Sequence, residues 1–246
     1  MEEKIKATQS LGEIVTKYPL LAEFFEKNEI DYCCGGKKTL KETATGRNID
    51  EKEFIEQIEN ELNRIKNHRS DQIVWENRPV NELIDYIVAR HHGYIKQNLP
   101  NSEAHLKKIT QVHSEVNPDE MMGEEKVVIR LPKLLSTFLE MKESLLKHLK
   151  EEEEEIFPAI KSSAVDERLK QKISLLEKEH EELGETLEKI KHLATDFVLP
   201  EWACPTFAAT YKLLEGLQVD IHKHVHLENN ILFPRLTGLT GSRLNI

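Results

Sequence analysis

Only three cysteines occur among 246 residues, two of them adjacent (Cys33, Cys34) and one distant (Cys204), so no disulfide framework staples this chain. That usage fits a reducing cytoplasm. No apolar run approaches the roughly 20 residues of a bilayer span, and the acidic, polar N-terminus lacks the basic and apolar regions of a signal peptide. The expectation is a protein that stays where it is made, with no membrane partner. An excess of basic charge is missing too. With 34 Lys and Arg against 44 Asp and Glu, the formal net charge is −10, which argues against a nucleic-acid-binding surface. No strand-like alternation is long enough to demand a sheet, and there is no phosphate-binding glycine loop, nucleophile elbow or paired CxxC motif. These absences leave a helical protein whose chemistry has to come from histidines and carboxylates.

Two stretches supply them. HLKEEEEEIFP holds His148 and Glu152, and HVHLENNILFP holds His224 and Glu228. Residues i and i+4 of an α-helix lie on one face, so each pair aims an imidazole and a carboxylate at one spot. Both pairs continue apolar stripes. Leu131, Leu134, Phe138, Met141 and Leu145 lead to the first, and Leu214, Leu217 and Ile221 lead to the second, with Ile231 following in step. A carboxylate at a core position is costly unless it is paired or binds a cation, so a buried metal is the economical explanation.

Taken in order, residues 1–65 read as a small helical unit. Leu11, Ile14, Val15, Tyr18, Leu21, Phe24 and Phe25 mark amphipathic turns that pass Pro19. DYCCGG then breaks the pattern, and a second helix carries Phe54, Ile55, Ile58, Leu62 and Ile65. Residues 66–79 read as a linker that docks through Trp75. From residue 80 to 246 four long helical segments follow. The first runs from near Asn81 to Pro100 and continues past a kink there. His91 and His92 compete for its inward position, and His92 shares the more apolar face with Ile84, Val88, Ile95 and Leu99. A loop around Asn117, Pro118 and Gly123 leads to the second helix. The third, from about Val165 to Thr195, places His180 in a stripe of Ile173, Leu176, Leu183, Leu187 and Ile190, and the fourth runs from about Thr206 to Asn230. The fold class is therefore all-α, a small N-terminal helical domain followed by an up-down four-helix bundle with a site in its core.

The ligand set is His92, His148, Glu152, His180, His224 and Glu228. Four nitrogens and two carboxylates exceed the needs of one tetrahedral zinc, whereas two metals fit. If both glutamates bridge and each ion takes two histidines, a shared oxo or hydroxo oxygen makes each ion five-coordinate, with one position open. Mixed histidine and carboxylate ligation suits iron, with manganese the alternative. His68, His105 and His192 are expected in solvent. His222 and His226 lie about 200° around the helix from His224, off its inward face. Glu151 to Glu155 form a solvated face apart from Glu152, and His113 is open between a channel and a supporting role. Around Cys33 and Cys34, exposed backbone amides at Gly35 and Gly36 and the charges of Lys37 and Lys38 are expected to lower a thiol's pKa, making the pair a candidate for redox or iron exchange.

HxxxE followed by IFP, a single histidine on the third helix and HxxxENxILFP on the fourth resemble the hemerythrin-like bundle that holds a non-haem di-iron centre. DYCCGG and its flanking helices resemble the short domain preceding that bundle in the repair of iron centres family (ScdA/YtfE type). The resemblance covers nearly the whole chain. It implies a cytoplasmic di-iron protein, often a homodimer, that restores iron-sulfur clusters damaged by nitric oxide or oxidants, with the two irons on the six ligands above. The oxygen-carrying hemerythrins have one more histidine on the third helix. Here Leu176 and Gly184 stand at the flanking positions, which counts against a reversible dioxygen carrier. Iron supply to damaged iron-sulfur proteins and reduction of nitric oxide at the two irons both stay open.

Overall fold

The computed structural model describes residues 4–66, 75, 78–113, 130–162 and 165–237. His68, most of the expected linker and the loop around Asn117, Pro118 and Gly123 lie outside the described residues. Trp75 is buried, with the Arg78 guanidinium 5.6 Å from its ring centroid. Among the described residues every regular element is helical, apart from a single isolated bridge between Ser10 and Thr39. None of these helices is long and apolar enough to cross a membrane. Contacts divide the chain into a first unit, Met1–Asp85 with His222–Ile246, and a second, Tyr86–Ile221.

The first unit begins with α1 (Leu11–Lys17), α2 (Leu21–Lys27), α3 (Leu40–Gly46) and α4 (Glu51–Lys66). Helices this short are marginal alone, so their ends and their packing hold them. Ser10 and Glu13 cap α1 reciprocally, and Thr39 and Glu42 do the same for α3. The bridge joins the two capping residues, bringing both N-termini together. Ile14, Leu21, Phe25, Leu40, Phe54 and Ile58 fill the core. The apolar turns past Pro19 form two helices, and α3 is an element that apolar periodicity did not reveal. On α4, Phe54, Ile58 and Leu62 are buried whereas Ile55 is half-buried.

The bundle begins with α5 (Val80–Tyr86), passes through a π-turn at Ile87–His92 and continues as α6 (Gly93–Val112). Helix α6 runs through Pro100, so the irregularity falls at the π-turn rather than at the proline. A π-turn adds a residue and rotates the helix beyond it. The expected α-helical face through Val88 is corrected accordingly. Leu83, Ile84 and Ile87 are buried, Val88 is half-buried, and both His91 and His92 then turn inward ahead of Ile95 and Leu99.

Helix α7 (Leu131–Glu151) leads into a second π-turn (Glu152–Ile156) and α8 (Phe157–Lys161). Its stripe of Leu131, Leu134, Phe138, Met141, Leu145 and His148 is buried throughout. After α9 (Glu167–Leu193), α10 (Pro205–Leu227) ends in a third π-turn (Glu228–Leu232) and α11 (Phe233–Thr237). Polar links tie neighbouring helices of the second unit. Lys142 of α7 pairs with Glu103 of α6, Lys172 of α9 reaches Glu155 just past α7 at 2.5 Å, and Gln218 of α10 donates to Glu188 of α9 at 3.3 Å.

Candidate metal centre

In the second unit the donors gather around Glu152, whose side chain is 0% exposed. His148 Nε2 lies 3.1 Å from one carboxylate oxygen, His180 Nε2 is 3.9 Å from the same oxygen, and His92 Nε2 is 3.5 Å from the other. The far nitrogens of two of these rings are engaged. His148 Nδ1 lies 2.7 Å from Glu179, and His92 Nδ1 lies 2.7 Å from Glu153, which Lys96 also holds at 2.6 Å. With Nδ1 as the donor to those outer carboxylates, Nε2 of both rings is the nitrogen whose lone pair a metal ion would take. Those lone pairs aim at a carboxylate oxygen, and His180 Nε2 stands only 2.9 Å from His148 Nε2. So much lone-pair density converging in a buried space is repulsive without a cation, and two nitrogens and an oxygen at this spacing are what a metal ion recruits. The hydrogen bond from His148 holds the Glu179 carboxyl below its usual range despite partial burial. His92 is further oriented by Phe157, stacked 5.7 Å away.

His91, the other candidate on the π-turn, has different surroundings. Its Nδ1 lies 3.1 Å from Asp220 of α10, and Tyr86 packs edge-on at 5.5 Å. One π-turn thus buries two consecutive histidines against different partners.

The second copy lies in the first unit. His224 Nε2 stands 3.0 Å from Glu228, and both side chains are 0% exposed. Glu228 opens the π-turn as Glu152 opens its own. A proline follows each glutamate by the same interval, Pro158 after Glu152 and Pro234 after Glu228. Proline has no N–H for the carbonyl four residues earlier, here Glu154 and Asn230, the middle residues of the two π-turns. The structure therefore brings His92, His148, Glu152 and His180 together in the second unit and pairs His224 with Glu228 in the first.

Around the second copy the N-terminal residues close in. Asn230 Nδ2 donates to the Cys33 carbonyl at 3.0 Å and lies 3.3 Å from His226 Nδ1. His226 sits 5.4 Å from the Tyr32 ring, and burial pushes its pKa down to about 4 against a hydrogen bond to the Tyr32 backbone. His222 Nδ1 contacts Glu26 at 2.9 Å, and Tyr32 Oη donates to the same carboxylate at 3.1 Å.

Cys33 and Cys34 form no disulfide, and their sulfurs lie 3.8 Å apart. Asp31 gathers the loop, accepting from the backbone amides of Cys33 at 3.1 Å, Cys34 at 3.0 Å and Gly35 at 2.8 Å. The expected lowering of thiol pKa is overturned at Cys33. Its hydrogen bond to Cys34, then its burial, then the nearby negative charges push it well above the ordinary range. Lys37 and Lys38 are exposed, where water screens them. Half-exposed Cys34 is the accessible member, and donor atoms of Asp31, Cys33 and Cys34 lie within 4.8 Å of one another. His113 follows His92 by roughly 30 Å of helix, packed 5.1 Å from Trp202 with its Nε2 3.6 Å from Cys204, which removes it from the metal site.

Sequence reasoning missed the supporting carboxylates Glu153 and Glu179, together with Tyr32, His226 and Asn230. Glu153 was hidden in a run that reads as solvated. A carboxylate on a neighbouring helix beside each histidine is the signal to seek.

A hemerythrin HHE cation-binding domain model matches residues 83–236, and ScdA_N, a domain of unknown function (DUF542), matches residues 7–62. The iron-sulfur cluster repair protein YtfE of Escherichia coli O17:K52:H18 (strain UMN026 / ExPEC) is 36% identical over 228 residues, covering 92% of this chain and 96% of that protein. YtfE of Shigella boydii serotype 18 (strain CDC 3083-94 / BS512) matches with the same 36% identity and the same coverage.

Proposed function

Because this chain belongs to the hemerythrin HHE cation-binding family, and along 92% of its length to the group of YtfE-type proteins, we propose that it repairs damaged iron-sulfur clusters through a non-haem di-iron centre. The observation that carries the reading is the convergence of imidazole nitrogens on buried Glu152, with Glu153 and Glu179 fixing two tautomers. His92, His148 and His180, with His224 from the second copy, would supply the nitrogens, and Glu152 and Glu228 the carboxylates, that hold two iron ions. The family match across residues 83–236 takes in all four helices that carry these residues. Bound iron supplies redox chemistry or transferable metal. The chain's own residues hold two imidazole protons at Nδ1, keep the donors dry and orient them before metal arrives. Damaged iron-sulfur proteins are the clients in this reading, nitric oxide or dioxygen the small ligands, and a cytoplasmic homodimer the working form. Cys34 is the exchange or redox candidate that solvent can reach, and Cys33 stays a thiol beside it.

Iron analysis with optical and Mössbauer spectra, before and after nitric oxide, tests the centre. About two irons per chain are expected. Replacing Cys33 and Cys34 by alanine is expected to leave that spectrum intact and to slow reactivation of a damaged iron-sulfur enzyme in a cell extract. Undiminished reactivation would place the function in the bundle alone and favour nitric oxide reduction at the irons.

A further inference from the structure

Asn230 occupies a position that neither its charge nor its helical register explains. It sits two residues past Glu228, at the middle of the π-turn, and its side chain leaves the helix to enter the cysteine loop. There Nδ2 donates to the carbonyl of Cys33 at 3.0 Å, with the Tyr32 carbonyl at 3.4 Å. Both partners are acceptors only, so the amide orientation is fixed by chemistry. The other edge of the amide is gripped as closely. A Cβ built on Gly12 would stand 2.2 Å from Asn230 Oδ1, and one built on Gly36 would also stand 2.2 Å away. Two glycines therefore form a cradle that no other residue would leave open. Gly12 and Gly36 are themselves joined, Gly12 N–H donating to the Gly36 carbonyl at 2.9 Å.

The carbonyl that Asn230 reads belongs to the peptide bond between Cys33 and Cys34. Any change at either thiol that turns this peptide plane moves an acceptor of Asn230. Glu228 lies on the same π-turn, where an irregular hydrogen-bond ladder gives the backbone more freedom than a regular α-turn. We infer that Asn230 is the positioning residue through which the state of the Cys33–Cys34 pair acts on Glu228 and so on its metal. This rests on the reading of Glu228 as an iron ligand. Modification or engagement of Cys34 rotates the shared peptide, shifts Asn230 within its glycine cradle and changes how Glu228 meets the ion. The cysteine loop is thus a sensor of the client or of a thiol reagent, and the metal responds.

The test uses the full iron-loaded chain carrying Cys204→Ser, treated with methyl methanethiosulfonate. The Cys34 thiolate attacks the sulfenyl sulfur, a methyl disulfide forms on Cys34, methanesulfinate leaves and the thiol proton passes to solvent. Mass spectrometry counts the adducts while Mössbauer and optical spectra follow the metal. The parent is expected to show a changed signal for one of two irons. Asn230→Ala is expected to take up the reagent to the same extent with its spectrum unmoved. Gly12→Ala keeps both cysteines and every proposed ligand, and by pressing on Oδ1 it is expected to shift the same signal without reagent. An unchanged parent spectrum at full modification overturns the inference, as does an equal shift in Asn230→Ala or an unshifted Gly12→Ala. A parent chain that binds no iron overturns the reading of Glu228 itself, and the two failures are distinguishable at the first measurement.

Discussion

Around the first His–Glu pair the outward positions are glutamates. Glu153 reaches back to His92 and Lys96, Glu155 goes out to Lys172, and Glu154 faces water. Around the second pair they are His222, His226 and Asn230, and each meets an N-terminal residue, respectively Glu26, Tyr32 and Cys33. The inward pair is the same in both copies, a histidine and a glutamate, and a proline follows each at the same interval. The difference teaches that a ligand pair dictates only its own face. The opposite face is free to be solvated or to be an interface, and its residue types record which of these happened. A glutamate run is cheap in water, whereas His226 and Asn230 are polar groups that burial penalises until the Tyr32–Gly36 loop supplies partners.

The strongest way to break the comparison is to remove each buried glutamate. Glu152→Ala and Glu228→Ala are both expected to lose at least one of two irons, measured by elemental analysis and Mössbauer spectroscopy. Full iron with an unchanged spectrum in both would reject the ligand set. His91→Ala is expected to keep its iron, since His91 faces Asp220, whereas His92→Ala is not.

Acid separates the copies next. His226 titrates at about 4 when folded, against about 6.5 unfolded. Between those values the unfolded chain binds the extra proton, so this contribution is complete above pH 6.5 and is lost as pH falls toward 4. The loss approaches roughly 3 kcal/mol. Denaturant titrations of the metal-free chain at several pH values should show a flatter acid slope in His226→Gln, and an unaltered slope would mean that this histidine is not buried neutral.

A smaller effect belongs to the glycine cradle. Gly12→Ala forces a Cβ against Asn230 and is expected to cost about 2 kcal/mol, a fall in Tm of roughly 4–8 °C. In an Asn230→Gly background most of that cost should vanish, because the nearest remaining atom is the Gly36 carbonyl at 3.1 Å. Equal costs in both backgrounds would place the clash elsewhere.

The mildest test sharpens the first copy alone. Glu179→Gln keeps shape but removes the charge that holds the His148 proton, and metal affinity in a chelator competition is expected to fall about tenfold. Glu179 has a lowered folded pKa, so its support is present above the ordinary carboxylate range and fades as pH drops through the lowered value.

The four-helix architecture and the stripes through Phe138, His148 and His180 were legible because apolar period and ligand position coincide on regular helices. Helix α3 was less so. Seven residues offer too little periodicity, although Thr39 and Glu42 spell its capping box. The π-turns escaped because an inserted residue shifts phase by less than a helix face, and the burial of Ile87 over Val88 was the outcome. The repeated spacing from Glu152 to Pro158 and from Glu228 to Pro234 was the available sign. Nothing local announced Glu179 or Asn230, whose meaning lies in residues distant along the chain.

Asn230 and the Cys33 carbonyl that it holds are 197 positions apart. At about 5–20 residues per second, a ribosome that has just finished the cysteine loop needs on the order of 10–40 s to deliver its partner. Helices α1 to α4 can close over their own core in that interval, since their caps and apolar contacts are local. The glycine cradle cannot. For those seconds each new chain presents the Cys33–Cys34 peptide without its clasp, which makes synthesis itself the stage at which the pair is most open to oxidants and to stray metal.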